Sequence, residues 1–172
     1  ARIRLERSSL EWEVALTANA ARATAAAITL VADTSGSMAL LSGVATKTRM
    51  DVLKESLVTA IDTLLQGTAC ALVRFDSDAH LAETLTAINT PDIADGGRVA
   101  LRLAAGLLAS AGATSIGDGV RLGNDTAVAD ITRAPGVLVL TDGHENTAEF
   151  IADVMDDITA PVYAIGMGTA AA

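Results

Sequence analysis

The residues with the clearest capacity for chemistry are Asp33-Thr34-Ser35-Gly36-Ser37, which directly follow an apolar run. A carboxylate and two hydroxyls at alternate positions, turning on a glycine, can bring three hard oxygen ligands to one point. Mg²⁺ and Mn²⁺ prefer such ligands and tend to keep bound waters besides. Ser, Gly and Asp are also ordinary turn residues, so the string alone is a weak signal. It predicts a metal site only if other segments supply further oxygens.

Two further segments carry suitable oxygens. Gly112-Ala113-Thr114-Ser115 precedes a predicted helix, and Thr141-Asp142-Gly143 directly follows the apolar run Val137-Leu138-Val139-Leu140. Taken singly, each has an ordinary explanation, because strand ends favour Asp and Gly, and Thr114 or Ser115 could cap a helix. In an open α/β sheet, however, ligands bind at the carboxyl ends of the strands. The joint occurrence of the three segments therefore predicts one divalent-metal site.

The elements that must position these segments follow from the hydrophobic pattern. Near-continuous apolar runs predict buried strands near 26–33, 69–75, 137–141 and 161–166, as in a parallel sheet covered on both faces. Stripes at helical spacing predict helices over 53–64, 101–108, 116–127 and 150–158. Thr48 with Asp51 is predicted to cap the first helix, and Asn146 with Glu149 the fourth. Small residues on the third helix would let it lie close to the sheet.

Alternation of strands and helices predicts a doubly wound α/β fold with a mostly parallel sheet and helices on both faces. The segment 75–81 predicts a tight turn into one antiparallel edge strand. Residues 1–17 alternate apolar and polar side chains, which is typical of half-exposed paired strands. We therefore divide the chain into an N-terminal β extension (1–25), interpretable as part of a neighbouring β-domain, and an α/β domain (26–172).

Composition limits the function classes. A chain of 172 residues, 51% of them apolar, can bury roughly 70% of its unfolded surface as one domain. With 12 basic and 21 acidic residues its net charge is −9, which argues against a nucleic-acid partner. No apolar run reaches the ~18 residues of a membrane helix, so no membrane insertion by this segment is predicted. Cys70, the single cysteine, lies in an apolar run and is predicted to be buried.

The chain resembles the von Willebrand factor A domain family from about Ala26 to Gly168. The family's D-x-S-x-S falls on Asp33, Ser35 and Ser37, its threonine on Thr114 and its second aspartate on Asp142. This resemblance implies a complete metal-ion-dependent adhesion site. The stretch 124–147 is similar to the calcium-activated chloride channel regulator group and its bacterial relatives. The family pattern usually continues with another helix and strand, so the resemblance also implies that the α/β domain stops short of these elements.

The resemblance implies a role for each residue. Ser35 and Ser37 would bind the cation through their hydroxyls, Thr114 directly or through water, and Asp33 and Asp142 largely through water. The cofactor would be Mg²⁺, with Mn²⁺ or Ca²⁺ as alternatives. In the family, the remaining coordination position accepts an Asp or Glu carboxylate of a partner protein. Residues expected at the rim or behind the ligands are Thr34, Gly36, Ser115, Asp118, Gly143, His144 and Glu145.

Other residues suggest alternative sites. His144 and Glu145 could form a base–metal pair for hydrolysis, although the rim interpretation is favoured. Asp76, Asp78 and His80 could hold a second metal, although turn and edge-strand roles are favoured. The glycines at 117, 119 and 123 fail the dinucleotide pattern because position 122 is leucine. The segment 43–48 fails the P-loop spacing, and Ser35 stands where an aspartyl-phosphate phosphatase needs an aspartate.

Two function classes remain. The first is a non-enzymatic, cation-dependent protein-binding module of the adhesion type, and the second is a regulatory or metal-assisted hydrolytic domain of a larger enzyme or ATPase assembly. We favour the first. An extracellular or cell-surface location is slightly favoured over a cytoplasmic one, and other domains of a longer chain are expected.

Overall fold

The computed structural model describes residues 2–7, 10–15 and 25–167. In chain order its elements are β1 (Arg2–Arg7), β2 (Leu10–Ala15), β3 (Ala26–Asp33), a 3-10 turn (Gly36–Ala39), α1 (Arg49–Thr63), β4 (Ala69–Phe75), β5 (Ala79–Ala87), α2 (Gly96–Leu107), α3 (Ile116–Val128), β6 (Ala134–Thr141), α4 (Ile151–Val154), a second 3-10 turn (Met155–Asp157) and β7 (Val162–Gly166).

The main sheet has the strand order β5-β4-β3-β6-β7. β3 runs parallel to β4 and β6, β6 runs parallel to β7, and only β5 pairs antiparallel, at the edge. The predicted α/β fold with one antiparallel edge strand is therefore confirmed. β1 and β2 pair antiparallel with each other, as the alternation at residues 1–17 predicts. The division of the chain near residue 25 stays a prediction.

The core lies on both faces of the sheet because successive residues of β3 point to opposite sides. Leu30 and Ala32 pack with the apolar residues of α1 and α2, whereas Val31 packs with those of α3. α3 approaches the sheet closely, since a Cβ at Gly119 would lie 2.7 Å from the Phe75 ring. A Cβ at Gly123 would lie 2.6 Å from a methyl of Val31. The predicted role of the small residues on this helix is thus confirmed.

Cys70 is fully buried on β4, as predicted. Burial raises the pKa of its thiol to about 12, because the thiolate would be cut off from water. Among the described residues, no helix is both long and apolar enough to cross a bilayer.

The predicted cap of the first helix is confirmed, and the predicted fourth helix needs correction. Asp51 and Thr48 exchange hydrogen bonds as a capping box at the start of α1. α4, however, is a single α-helical turn followed by a 3-10 turn. The amide of Phe150, the residue before α4, donates to Asp153 rather than to Asn146 or Glu149. Asn146 forms hydrogen bonds with Thr114 instead of capping α4.

A buried side chain from α3 binds the amides that follow the second 3-10 turn. Asn124 Oδ1 accepts hydrogen bonds from the amides of Thr159 and Ala160, both at 3.0 Å. Those amides therefore bond to α3, and the chain passes through Pro161 into β7. Local hydrophobic spacing contained no sign of this contact.

Candidate metal centre

The site begins at the buried end of β3. Asp33 is fully buried, and its carboxylate is fixed from two sides. Oδ1 accepts the amide of Ser35 at 2.8 Å, and Oδ2 accepts the Thr141 hydroxyl at 2.6 Å. Because β3 and β6 are neighbours, the ends of both strands contribute to holding this carboxylate.

Ser35 and Ser37 connect the β3 turn to the end of β6. The Ser37 hydroxyl donates to Asp142 Oδ1 at 2.8 Å, and it lies 2.9 Å from the Ser35 hydroxyl. Since the single hydroxyl hydrogen of Ser37 is donated to Asp142, Ser35 is the donor in the hydrogen bond between the two serines. The arrangement leaves lone pairs of both hydroxyls free to accept another group.

The third predicted segment reaches the same place from the loop before α3. Thr114 is almost fully buried, and its backbone is held by Asn146, which accepts its amide at 2.8 Å and donates to its carbonyl at 3.1 Å. A Cβ on Gly143 would lie 3.9 Å from the Ser37 hydroxyl oxygen and 4.0 Å from that of Thr114. Gly143 therefore lies beside hydroxyls of two segments, within van der Waals range of an added Cβ. The structure brings the three segments together at the carboxyl edge of the sheet.

Backbone hydrogen bonds lock the β3 turn against the loop before α3. The amide of Gly36 donates to the Gly112 carbonyl at 3.1 Å, and the amide of Ala111 donates to the Thr34 carbonyl at 2.7 Å. Thr34 turns its hydroxyl inward, where it donates to the Phe75 carbonyl at 2.9 Å. Thr34 therefore supports the turn from below and does not reach the rim.

Gly112 is required at its position for two reasons. Its φ of +72° lies in the left-handed region, and an added Cβ would lie 2.9 Å from the Ser77 hydroxyl. The same hydroxyl accepts the amide of Ala113 at 3.1 Å. A substitution here would therefore push the Thr114 loop away from β4.

Glu145 has a different role from its neighbour His144. Its Oε1 accepts the amide of Gly117 at 2.9 Å and the amide of Ile151 at 2.7 Å, in the first turns of α3 and α4. A carboxylate is favoured at helix N-termini, where amides lack intrahelical partners. Glu145 thus joins two helices behind the site, whereas the exposed His144 has no hydrogen-bond partner among the described residues.

Ser115 and Asp118 also lie behind the predicted ligands. The Ser115 hydroxyl is 3.1 Å from Asp118 Oδ2 and 3.0 Å from the Glu149 carbonyl oxygen. Asp118 Oδ1 forms an ion pair with Arg121 at 3.0 Å. These contacts fix the first turn of α3 to the segment before α4 and so hold the Thr114 loop indirectly.

Two residues have roles at the site that the sequence did not indicate: Thr141, which stood in a predicted ligand segment without a role of its own, and Arg49. Thr141 holds Asp33, and its place beside Asp142 at a strand end was a usable signal. Arg49, the first residue of α1, lies 2.5 Å from Asp142 Oδ2 through its Nη1. No pattern pointed to Arg49, because a basic residue after an exposed loop is ordinary and its partner lies 93 residues away.

The turn at residues 76–80 shows no second metal centre. Asp76 pairs with Arg74 at 3.0 Å and accepts the amide of Ser77 at 2.6 Å, both of which are structural contacts of a turn. Within residues 25–167, no three His, Cys, Asp or Glu side chains are grouped so as to hold a metal. The β3–β6 site does not depend on such a group, since three of its five predicted donors are hydroxyls.

The fold and this strand-end cluster of oxygens define a class of α/β domain. The family model described as von Willebrand factor type A domain matches residues 28–145, about two thirds of the chain. The chain therefore belongs to that family, as the sequence resemblance indicated. Domains of this family commonly serve in adhesion or protein interaction and are generally non-enzymatic. A comparison with curated proteins found no match.

Solved structures share the fold. The von Willebrand factor type A structure from Catenulispora acidiphila has a TM-score of 0.67 and 24% identity, covering 82% of this chain and 32% of that one. An aerotolerance-related membrane protein from Bacteroides fragilis has a TM-score of 0.66 and 16% identity, covering 83% and 68%. The vWF domain of the type V pili tip protein Mfa5 from Porphyromonas gingivalis has a TM-score of 0.58 and 18% identity, covering 72% and 39%. The chain thus spans only about a third of the Catenulispora protein.

Proposed function

We propose that this domain is a divalent-cation-dependent protein-binding module in which a bound Mg²⁺ accepts an acidic side chain of a partner. The observation that carries the proposal is the convergence of hydroxyl and carboxylate oxygens from three separated segments at one sheet edge. Ser37 is hydrogen-bonded to Ser35 and to Asp142, and the hydroxyls of Ser37 and Thr114 both lie beside Gly143. These contacts support the complete metal-ion-dependent adhesion site that the sequence predicts.

The donor chemistry fits a small, hard dication. Ser35, Ser37 and Thr114 would hold it through hydroxyls, and Asp33 and Asp142 through its waters. Asp33 already accepts two hydrogen bonds, which suits a carboxylate that orients water rather than one that binds the metal directly. When bound, Mg²⁺ would supply an electrophilic centre with a position for an external Asp or Glu carboxylate. Mn²⁺ and Ca²⁺ are the alternatives.

The surface beside the site suits a protein partner. Leu40 follows Ser37 closely, and its amide donates to the Ser37 carbonyl at 3.0 Å. Leu40, Leu41 and Val44 are 57%, 67% and 55% exposed, respectively. Large apolar side chains in open solvent next to a polar site are typical of interaction surfaces. A partner would bury them while its carboxylate reaches the hydroxyl cluster.

The hydrolytic alternative is less well supported. A base would have to come from His144 or Glu145, and the Glu145 carboxylate is already engaged by two helix amides. Moving it to a reacting water would leave both amides without their charged acceptor. We therefore keep the domain's own role as binding, whether alone or as part of a larger enzyme.

A surface or extracellular setting follows from the same proposal. The structural neighbours include a pilus tip protein and a membrane protein, both longer than this chain. Their identities to this chain are below 20%, so they support the fold, and the setting is carried over only as part of the proposal. Further domains of a longer protein would carry the module to its partner.

The metal site is tested by calorimetric titration with Mn²⁺ of the parent protein, Ser37→Ala and Ser56→Ala. Ser37→Ala removes a predicted ligand and should weaken binding about tenfold or more, as loss of metal-site groups does. Ser56→Ala makes the same chemical change on α1 away from the site and should bind like the parent. Equal affinity in all three proteins would rule out this site.

The binding role is tested with a displayed library of random peptides, selected in Mg²⁺ and eluted with EDTA. The selected peptides should share an invariant Asp or Glu with neighbouring apolar residues. Replacement of that acid by Asn or Gln should abolish binding. Enrichment of peptides without a common acid, or of peptides that stay bound in EDTA, would contradict a metal-held carboxylate.

A further inference from the structure

The contact between Arg49 and Asp142 is the most unusual feature of the site. The Asp142 side chain is fully buried and has two partners, Arg49 Nη1 at 2.5 Å and the Ser37 hydroxyl at 2.8 Å. Arg49 is only 20% exposed, and its buried Nε has no hydrogen-bond partner among the described residues. A guanidinium thus lies against one of the two carboxylates of the metal site.

The helix that carries Arg49 does not account for it. Arg49 is the first residue of α1, where the helix dipole places partial positive charge and disfavours a cation. Thr48 and Asp51 already complete the cap of this helix without it. The arginine is stabilised at this position by Asp142, which belongs to the site.

The charges nearest the site give Arg49 a specific effect. Asp33 and Asp142 contribute −2 and Arg49 contributes +1, so the site without metal carries a net charge of about −1. A bound dication would change this to about +1. The acidic groups farther out have their own partners, since Glu145 binds helix amides and Asp76 pairs with Arg74.

We propose that Arg49 has two effects at the site. Without metal, its guanidinium neutralises the charge of Asp142. With metal bound, it gives the site a net positive charge that favours a carboxylate ligand. This inference rests on the proposed function. Arg49 weakens metal binding by repulsion and by occupying Asp142. It strengthens carboxylate binding, because the anion of the partner offsets the excess charge. Metal and partner therefore bind more tightly together than separately.

The test is calorimetric titration with Mn²⁺ of the parent, Arg49→Gln, Arg49→Lys and the control Arg102→Gln, each in chloride and in acetate at equal ionic strength. Arg49→Gln should bind Mn²⁺ roughly tenfold more tightly in chloride, the effect of one charge a few ångströms from a dication under water-like screening. Arg49→Lys keeps the charge and should stay within about twofold of the parent. Arg102 forms a 3.5 Å surface pair with Asp62, and its variant should match the parent.

Acetate serves as the carboxylate probe. After correction for its own association with Mn²⁺, acetate should tighten Mn²⁺ binding severalfold in the parent and distinctly less in Arg49→Gln. Thermal unfolding gives a second readout. Without metal, Arg49→Gln should melt below the parent because Asp142 loses its partner, and saturating Mn²⁺ should close most of that gap.

The outcomes separate this inference from the proposed function. Equal Mn²⁺ affinity in the parent and Arg49→Gln, or a melting gap that Mn²⁺ leaves unchanged, would reduce Arg49 to a structural residue while leaving the metal site intact. Tighter binding by Arg49→Lys would also overturn the role of the charge. Absence of Mn²⁺ binding in every variant would overturn the proposed function and this inference together.

Discussion

An arginine lies at each end of α1, and the two arginines differ in what they bind. Arg98, from α2, is fully buried and binds only carbonyls at the C-terminal end of α1 and beyond. Its Nη1 donates to the Ile61 carbonyl at 2.5 Å, its Nη2 to the Leu64 carbonyl and its Nε to the Thr90 carbonyl at 3.2 Å. Arg49, roughly 20 Å away at the other end, binds a carboxylate of the candidate site.

The difference lies in the helix dipole. At the C-terminus of α1 the helix dipole favours a cation, and Arg98 donates there to the carbonyls of Ile61 and Leu64, the first of which also accepts the Leu64 amide at 3.3 Å. At the N-terminus the dipole opposes a cation, so Arg49 depends on Asp142. Arg98 therefore completes the C-terminal end of α1, whereas Arg49 is unfavourable at the N-terminal end of α1 by itself and is stabilised there by the site.

The largest effect is expected for Arg98→Met. It removes the Arg98 donor from the carbonyls of Ile61, Leu64 and Thr90, of which Ile61 keeps the amide of Leu64, and we expect the free energy of unfolding to fall by about 3 kcal/mol. Urea denaturation measures this loss. The Mn²⁺ affinity of the folded protein should stay at the parent value. A change in that affinity as large as the one expected for Arg49→Gln would break the distinction between the two ends.

The next effect is expected for Glu145→Ala, which removes the shared acceptor of two helix amides at the site end. The free energy of unfolding should fall by about 2 kcal/mol in urea denaturation. Glu55→Ala is the control, because Glu55 forms only an exposed pair with Lys47 and should change stability by less than about 0.5 kcal/mol. Equal losses in the two variants would show that Glu145 is an ordinary rim residue.

A smaller effect is expected for Thr48→Ala, which removes the cap directly before Arg49. Loss of an N-cap threonine costs about 1 kcal/mol, measured by urea denaturation. Thr59→Ala makes the same change within α1, where the hydroxyl only bonds back to the Glu55 carbonyl, and should be close to neutral. If Thr48→Ala also altered Mn²⁺ affinity tenfold, Arg49 would depend on the cap for its placement.

Cys70 gives the last test, in which the rate of thiol labelling is measured rather than a loss of stability. With its thiol pKa raised to about 12 by burial, Cys70 should resist a thiol reagent in the folded protein. The stabilisation due to the neutral thiol is complete below the unfolded pKa of 9.0 and is lost as pH rises from there toward 12. Near pH 8, the thiol reagent should therefore label Cys70 only in molecules that have unfolded. In Mn²⁺, Arg98→Met should accelerate the labelling of Cys70 more than Arg49→Gln does. The reverse order would contradict the different roles of the two arginines.

Local sequence patterns predicted an element correctly where all the residues that determine it lie in one segment. The apolar runs located the strands, and β3 begins and ends where predicted because both its faces are buried. Thr48 and Asp51 predicted the start of α1, since a capping box is complete within four residues. Local patterns did not predict how the segment after α4 is held, because the atom that accepts the amides of Thr159 and Ala160 belongs to Asn124 on another helix.

The sequence by itself determined the α/β fold, because the hydrophobic periods of its segments specify the strands and helices. Oxygen chemistry at the strand ends, together with the family resemblance, predicted five site residues. The structure brings these residues to one edge, and their metal remains to be measured. Only the tertiary structure decided that Thr141 fixes Asp33, that Glu145 faces helix amides and that Arg49 pairs with Asp142. Charge and hydrogen bonding act over a few ångströms of space, and partners up to 108 residues apart in the chain come within that range only after folding.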